Sequence, residues 1–294
     1  PKTLSAVTFG GKEINIPGSA FYGCSFESLS IPANIKNISY SAFANCTSLS
    51  SVTVENGDSP LTMSTGTFNS SPVTDFVMNR DCVVEGSDSF MPQLKRLTVG
   101  EKVTQMPDTV FRASTDLITV KSLSSTPSTA AYKAFPDNAW GSVTDSDIPV
   151  YESAPGWEML TYAPGADFGE TPEVVENDGK TYMILSESTA ALVKSSNSTI
   201  INRVKLNDKI RNIVAIGPGA FAGLGFSSIT IPDQIQVIGT GAFNGCTNLQ
   251  GINIPEGLTR IAPMCFKNTR LGSVTIPSTV THICLLYTSP SPRD

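Results

Sequence analysis

A five-residue step from isoleucine to phenylalanine, repeated at near-constant spacing, constrains this chain more than any other feature. It is plainest in Ile238-Gly-Thr-Gly-Ala-Phe243, with copies at Ile216 to Phe221, Ile261 to Phe266, Ile16 to Phe21 and Ile38 to Phe43. From Ile216 through Ile238 and Ile261 to Ile283 the spacings are 22, 23 and 22 residues, and Ile16 to Ile38 is again 22. A fixed period of this size is the signature of a solenoid. Its units stack because none can bury its apolar side alone.

Each unit reads alike. A triplet such as Leu29-Ser30-Ile31, Val52-Thr53-Val54 or Ile252-Asn253-Ile254 is a short strand with two side chains inward and one outward. Pro32, Pro232, Pro255 and Pro277 follow triplets and end them, because proline offers no N–H. The Ala-Phe pair takes a compact turn on the opposite side. Each buried ring contributes about 1.5–3 kcal/mol. No segment within a unit is long enough for three helical turns. The expectation is a β-rich solenoid with one parallel sheet, short turns in place of long helices, and two repeat blocks.

The blocks follow from where the pattern holds. Residues 1–160 form the first, with worn copies at Met63 to Phe68, around Phe90, at Met106 to Phe111 and around Phe135. Tyr151-Glu-Ser-Ala-Pro-Gly-Trp157 reads as a segment folded over its open end. Residues 161–199 read as a linker and a β-hairpin cap, from Gly179–Leu185 and Ala191–Val193. Residues 200–283 form the second block. Cys284 to Asp294 breaks the period and resembles the translation of a sequencing-library transposon adapter. With Pro1 rather than Met at the start, this leads us to expect an internal fragment whose repeats continue past Ile283.

Composition narrows the function. The net charge is -6, which argues against nucleic acid as a partner. No apolar run reaches the roughly 18 residues of a membrane span, so no membrane insertion is expected within the fragment. The one histidine, His282, reads as an exposed loop residue without triad partners. Gly239-Thr-Gly241 partly matches a dinucleotide fingerprint, but it recurs with the repeat and no helix follows. Cys24, Cys46 and Cys246 share a column three residues after the repeat Phe, where other copies have Leu224, Ser71 and Thr269. Cys265 falls in a column of alanines. Both read as small buried positions holding free thiols, although Cys24 and Cys46 are near enough in the stack to raise a disulfide as the alternative. Asp145-Ser-Asp147 and Asn177-Asp-Gly179 lack calcium-loop spacing and read as solvated turns. Four glycosylation sequons, at Asn37, Asn45, Asn69 and Asn197, matter only in a eukaryotic secretory pathway. No cofactor, metal or catalytic residue is expected.

Stacked triplets align their outward residues. The row reads Ser30, Thr53, Val77, Thr98 and Thr119 in the first block and Thr230, Asn253 and Thr275 in the second. Beside it run Ser28, Ser51, Asp75 and Arg96, then Ser228, Gly251 and Ser273, so Asp75 and Arg96 are the only charges expected on this face. The candidate ligand contacts are Ser30, Thr53, Asp75, Arg96, Thr98, Thr230, Asn253 and Thr275. The face lacks Trp and Tyr, the side chains that anchor tight interfaces, and Thr also suits an exposed strand for structural reasons alone.

The unit Ile-Gly-x-x-Ala-Phe-x-x-Cys-x-x-Leu-x-x-Ile-x-Ile-Pro, as it stands at residues 238–255, resembles the BspA-like (Treponema pallidum-type) leucine-rich repeat. The resemblance covers about residues 11–160 and 200–283. It implies a right-handed leucine-rich-repeat superhelix on extracellular or cell-surface proteins of bacteria, often in adhesion. The expected function is a non-enzymatic binding or adhesion segment whose partner is a host or neighbouring-cell protein or glycan. The alternatives are a passive spacer and the non-catalytic repeat region of a larger secreted enzyme.

Overall fold

The computed structural model describes residues 4–86, 89–166, 168 and 172–284. The tail beyond Cys284, read above as adapter-derived, lies outside them. The chain divides into two compact units between Glu158 and Met159.

The first unit is a β-solenoid. Its strands are β1 (Ile14–Ile16), β2 (Ser28–Ile31), β3 (Ile35–Ile38), β4 (Ser51–Val54), β5 (Leu61–Ser64), β6 (Asp75–Met78), β7 (Cys82–Glu85), β8 (Arg96–Val99), β9 (Thr119–Ser122) and β10 (Trp140–Ser142). The expected single parallel sheet is corrected to two. The triplets form one ladder in the order β2-β4-β6-β8-β9-β10, and the residues that open the five-residue step form another, β1-β3-β5-β7. Ile16, Ile38, Met63 and Val84 are level in the second ladder. They lie in short strands of their own, so the earlier turns cross two sheets. Along the triplets, apolar residues alternate inward, and Leu29, Ile31, Val52, Val54, Phe76, Met78, Leu97 and Val99 are all buried. Among the described residues helix is limited to one 3-10 turn at Val110–Ala113 and a short helix α1 (Ile148–Ser153).

The repeat phenylalanines fill the corner between successive turns. Phe21 and Phe43 stack at 5.1 Å with rings 6° from parallel, and Phe43 and Phe68 at 5.9 Å and 16°. The backbone around each ring alternates between right- and left-handed conformations. Two residues before Phe, φ is positive at Ser19, Ser41, Thr109, Lys133, Gly219, Gly241 and Met264. Two residues after Phe, it is positive at Gly23, Asn45, Ser70, Gly223, Gly245 and Asn268. This alternation aims every second N–H at the next turn: Phe21 N donates to Ala42 O at 2.8 Å and Gly23 N to Ala44 O at 2.9 Å. The intervening amides close local turns, as Ala44 N does on Ser41 O.

Arg80 ties three turns together from the inside. It is 1% exposed, and its guanidinium donates to the carbonyls of Pro32, Ala33, Ile35 and Ser59 at 2.9–3.2 Å. Towards the end of the unit, Trp157 is fully buried. Its Nε1–H donates to Ser128 O at 2.8 Å, and its ring meets Phe135 and Tyr151, both at 5.0 Å. The Tyr151 hydroxyl reaches Ser122 Oγ at 2.7 Å and Ser124 O at 2.9 Å. The Tyr-to-Trp segment therefore packs against the last turns of the unit.

The second unit contains β11 (Thr161–Tyr162), β12 (Val174–Asn177), β13 (Lys180–Ile184), β14 (Thr189–Lys194), β15 (Arg203–Leu206), β16 (Lys209–Ile216), β17 (Ser228–Ile229), β18 (Val237–Ile238), β19 (Gly251–Ile252), β20 (Arg260–Ile261) and β21 (His282–Ile283). It begins with a mixed sheet, β12-β13-β14-β16-β15, in which the hairpin β13–β14 is antiparallel and β14 runs parallel to β16. The strand at Val174–Asn177 falls where the sequence suggests a linker. Repeats follow, with Phe221 on Phe243 at 5.3 Å and 11°, and Phe243 on Phe266 at 5.8 Å and 15°. Met159 and Thr161 reach this corner. The Thr240 hydroxyl donates to Met159 O at 2.9 Å, and Thr240 N donates to Thr161 Oγ1 at 3.2 Å.

Two outcomes test this packing. Phe243→Ala should lower stability by about 3–5 kcal/mol, because a fully buried ring between two parallel neighbours leaves a cavity; chemical denaturation measures it. Two glycines of the same turn should differ. Gly241 has φ 62, and an added Cβ would meet only Asn244 Cβ at an ordinary 3.6 Å, so Gly241→Ala should cost about 1 kcal/mol of backbone strain. At Gly239 the Cβ would stand 2.6 Å from Pro218 N and 2.8 Å from Gly217 C, so Gly239→Ala should cost about 2–3 kcal/mol. Paired thermal melts of the two variants check the order.

Candidate ligand-binding face

The outward residues of the long sheet in the first unit are set by the register of its strands. Ser30, Thr53, Val77 and Thr98 are level, and the next residue in this row is Lys121, not Thr119. Thr119 pairs instead with Arg96, so the fifth triplet is Val120-Lys121-Ser122 rather than Ile118-Thr-Val120. Thr119 is 5% exposed, whereas Lys121 is exposed. The cause is local: Leu117 turns into the core ahead of the strand, and the serine hydroxyl of Ser122 takes an inward place by accepting from Tyr151. The row beside it is Ser28, Ser51, Asp75, Arg96 and Thr119. Lys121 also overturns the expectation that Asp75 and Arg96 are the face's only charges.

Asp75 and Arg96 form an ion pair across adjacent strands, with side chains 21% and 29% exposed. The Thr74 hydroxyl donates to Asp75 Oδ2 at 2.8 Å. A pair this open to solvent on one side adds little stability, but it fixes two charges on the sheet. The Ser30 hydroxyl donates to the exposed Glu55 carboxylate. The face is thus polar and hydroxyl-rich, with no exposed aromatic among the level residues.

The second unit arranges its row less regularly. Thr230 and Thr275 are exposed and lie outside strands, Thr230 directly after β17. Asn253 does not offer its amide outward. Its Oδ1 accepts from Ile231 N at 2.7 Å and its Nδ2 donates to Ile231 O at 2.8 Å, replacing the strand hydrogen bonds that β17 and β19 fail to continue. Ser228 and Gly251 are level.

The cysteine column has a chemical reason that its residue types only half disclose. At four of the positions three residues after a repeat Phe, a small donor bonds the Phe carbonyl of the preceding turn. Cys46 Sγ donates to Phe21 O at 3.3 Å and Cys246 Sγ to Phe221 O at 3.0 Å, while Ser71 Oγ reaches Phe43 O at 2.8 Å and Ser114 Oγ reaches Phe90 O at 3.3 Å. All six cysteines are free, so the disulfide alternative for Cys24 and Cys46 is not realised. His282 is exposed on β21 beside Thr281. Among the described residues no group of His, Cys, Asp or Glu could hold a metal ion, and no helix is long and apolar enough to cross a membrane.

Burial pushes the thiols of Cys46, Cys246 and Cys265 upward, and that of Cys82 up to about 12 from its ordinary 9.0. Since the thiolate is the nucleophile, a thiol reagent at pH 8 should label only Cys284, which is part-exposed, until denaturant exposes the other five. Folded Cys82 keeps its proton where the unfolded chain loses it. Its stabilising contribution should therefore be full below about pH 9 and decline as pH rises towards about 12. Denaturant midpoints across that range, in parent and Cys82→Ala, check the slope.

The family model described as "BspA type Leucine rich repeat region" matches residues 14–139 and 194–286, in 6 copies. Among solved structures, the chain is similar to a leucine rich cell surface protein from Faecalibacterium prausnitzii, at 20% identity and TM-score 0.35, covering 96% of this chain and 77% of that one. It is similar to the pneumococcal vaccine antigen PcpA at 16% identity and TM-score 0.30, covering 90% of this chain and 49% of that one. A leucine-rich repeat protein from Eubacterium ventriosum matches at 14% identity and TM-score 0.27, covering 90% and 67%. No curated protein matches.

Proposed function

The chain belongs to the BspA-type leucine-rich repeat family, and from that premise we propose that it is a non-catalytic binding region displayed outside the cell, with an adhesive role. The long sheet of its first unit is the face that takes the ligand. One observation carries this reading. Successive parallel strands hold Ser30, Thr53, Val77, Thr98 and Lys121 in one row and Ser28, Ser51, Asp75 and Arg96 in the next, so a strip of hydroxyls and fixed charges, interrupted only at Val77, runs along the stack. A partner lying along the strip, a protein or a glycan of another cell, would gain many weak hydrogen bonds at once. Repetition of small contacts raises affinity without a single anchoring residue.

The second unit contributes differently. The bidentate bond of Asn253 to Ile231 spends the residue best suited to contact a ligand on the fold itself. That favours a spacer role for this unit, with binding assigned to the first.

Replacement of Ser30, Thr53 and Thr98 by Lys should leave the circular dichroism spectrum unchanged, because these side chains point away from the core. Binding of the chain to immobilised host matrix proteins and glycans should fall about tenfold or more. Undiminished binding of the triple variant would remove this sheet from the ligand's path.

A further inference from the structure

We propose that a groove at the phenylalanine corner of the first unit, floored by Phe68 and Met91 and rimmed by Tyr40, Asn69, Ser70 and Gln93, is a subsite for a neutral saccharide. It is separate from the sheet face and does not depend on ligand binding there. Its volume is about 470 Å³, within the range of small-molecule sites.

The groove exists because the corner hydrogen bonding is interrupted. In earlier turns Phe43 N donates to Thr67 O at 3.0 Å and Asn45 N to Asn69 O at 2.8 Å. The corresponding N–H groups of Phe68 and Ser70 donate to no carbonyl of the next turn among the described residues. The sequence explains this. Two residues after Phe90, where a left-handed conformation belongs, stands Pro92, whose ring holds φ near -65°. The left-handed residue is displaced to Met91, at φ 46. Its carbonyl then faces forward and is taken by Leu94 N and Ser114 Oγ, both at 3.0 Å. The rings register the same break, passing from 16° between Phe43 and Phe68 to 64° between Phe68 and Phe90.

Tyr40 supplies a platform on the rim. Its ring is 54% exposed and lies over Gly66, where an added Cβ would overlap it. Its hydroxyl accepts from Asn69 Nδ2 at 3.2 Å. A ring backed by main chain and held at its edge presents a pre-set flat apolar face, the shape that suits the C–H face of a sugar. Around it stand groups that both donate and accept: the amides of Asn69 and Gln93, the hydroxyl of Ser70, and the open backbone N–H edge. Among the described residues no charged side chain lines the groove. That matches a polyhydroxylated neutral ligand and offers nothing to a sialic or uronic acid, or to a nucleic acid.

The test uses the full chain against a printed panel of neutral oligosaccharides, sialylated oligosaccharides and single-stranded DNA, with saturation-transfer NMR on the hits. At least one neutral oligosaccharide should bind. Tyr40→Ala and Gly66→Ala should each weaken it about tenfold, the first by removing the ring and the second by displacing it, while Tyr40→Phe stays within about threefold. Melting temperatures should stay near the parent's, since Tyr40 is more than half exposed. Lysine substitutions at Ser30, Thr53 and Thr98 should leave this binding unchanged. The proposal is overturned if no neutral oligosaccharide binds, if only acidic glycans or DNA bind, or if Tyr40→Ala binds as the parent does.

Discussion

Parallel phenylalanine rings, one in each regular turn, set the spacing of the corners in the stack. At 5.1–5.9 Å between Phe21, Phe43 and Phe68, the ring spacing exceeds the roughly 4.8 Å between paired strands, so the corner turns must carry their own hydrogen bonds rather than borrow those of the sheets. They do so by alternating backbone hand around the ring, which turns every second N–H towards the next turn. The small residue before Phe follows from this. Ala42, Ala220 and Ala242 sit buried between two left-handed positions, and Cys265 takes the same column. Thr67 occupies the same place fully buried, with its hydroxyl unpartnered.

Much of this architecture was legible because the chain repeats itself. The five-residue step and the triplets placed the solenoid, its parallel strands and its buried rings. The second sheet was not legible. Its strands are three or four residues long, their opening apolar residue varies between Ile35, Leu61 and Cys82, and their outward positions, Asn15, Asn37 and Thr62, carry no distinctive pattern. Thr119 was misplaced because Ile118-Thr-Val120 satisfies the apolar-polar-apolar rule as well as the true strand does, and a two-residue shift keeps the same alternation. Asn253 stood correctly in the row, yet a sequence shows only that an amide is there, not that it is engaged by the neighbouring backbone. The left-handed positions could have been found. Gly219 and Gly241 mark them in the second block, and Ser19 and Ser41 occupy the same column in the first.

Irregular copies also differ from regular ones in what they leave open. Where Gly or Asn follows two after Phe, the corner closes on the next turn. Where Pro92 stands there, it does not. At this worn repeat the main-chain donors of Phe68 and Ser70 meet no carbonyl of the next turn among the described residues, while the rings themselves stay buried. Arg80 belongs to the same region: its four carbonyl contacts reach back across turns that the sheets alone join only pairwise.

The corner ladder also has a direction. From Phe21 to Ala42, Phe43 to Thr67, Phe221 to Ala242 and Phe243 to Cys265, each amide gives its hydrogen forward, towards higher residue number. A run of such turns is electrically polar in the sense that an α-helix is, with unmet donors gathering at one end and unmet acceptors at the other. Two such runs can extend one another only head to tail. Tandem duplication of the gene segment lays down units in that one orientation, so a lineage can lengthen or shorten this protein by whole turns without having to invent a new joint.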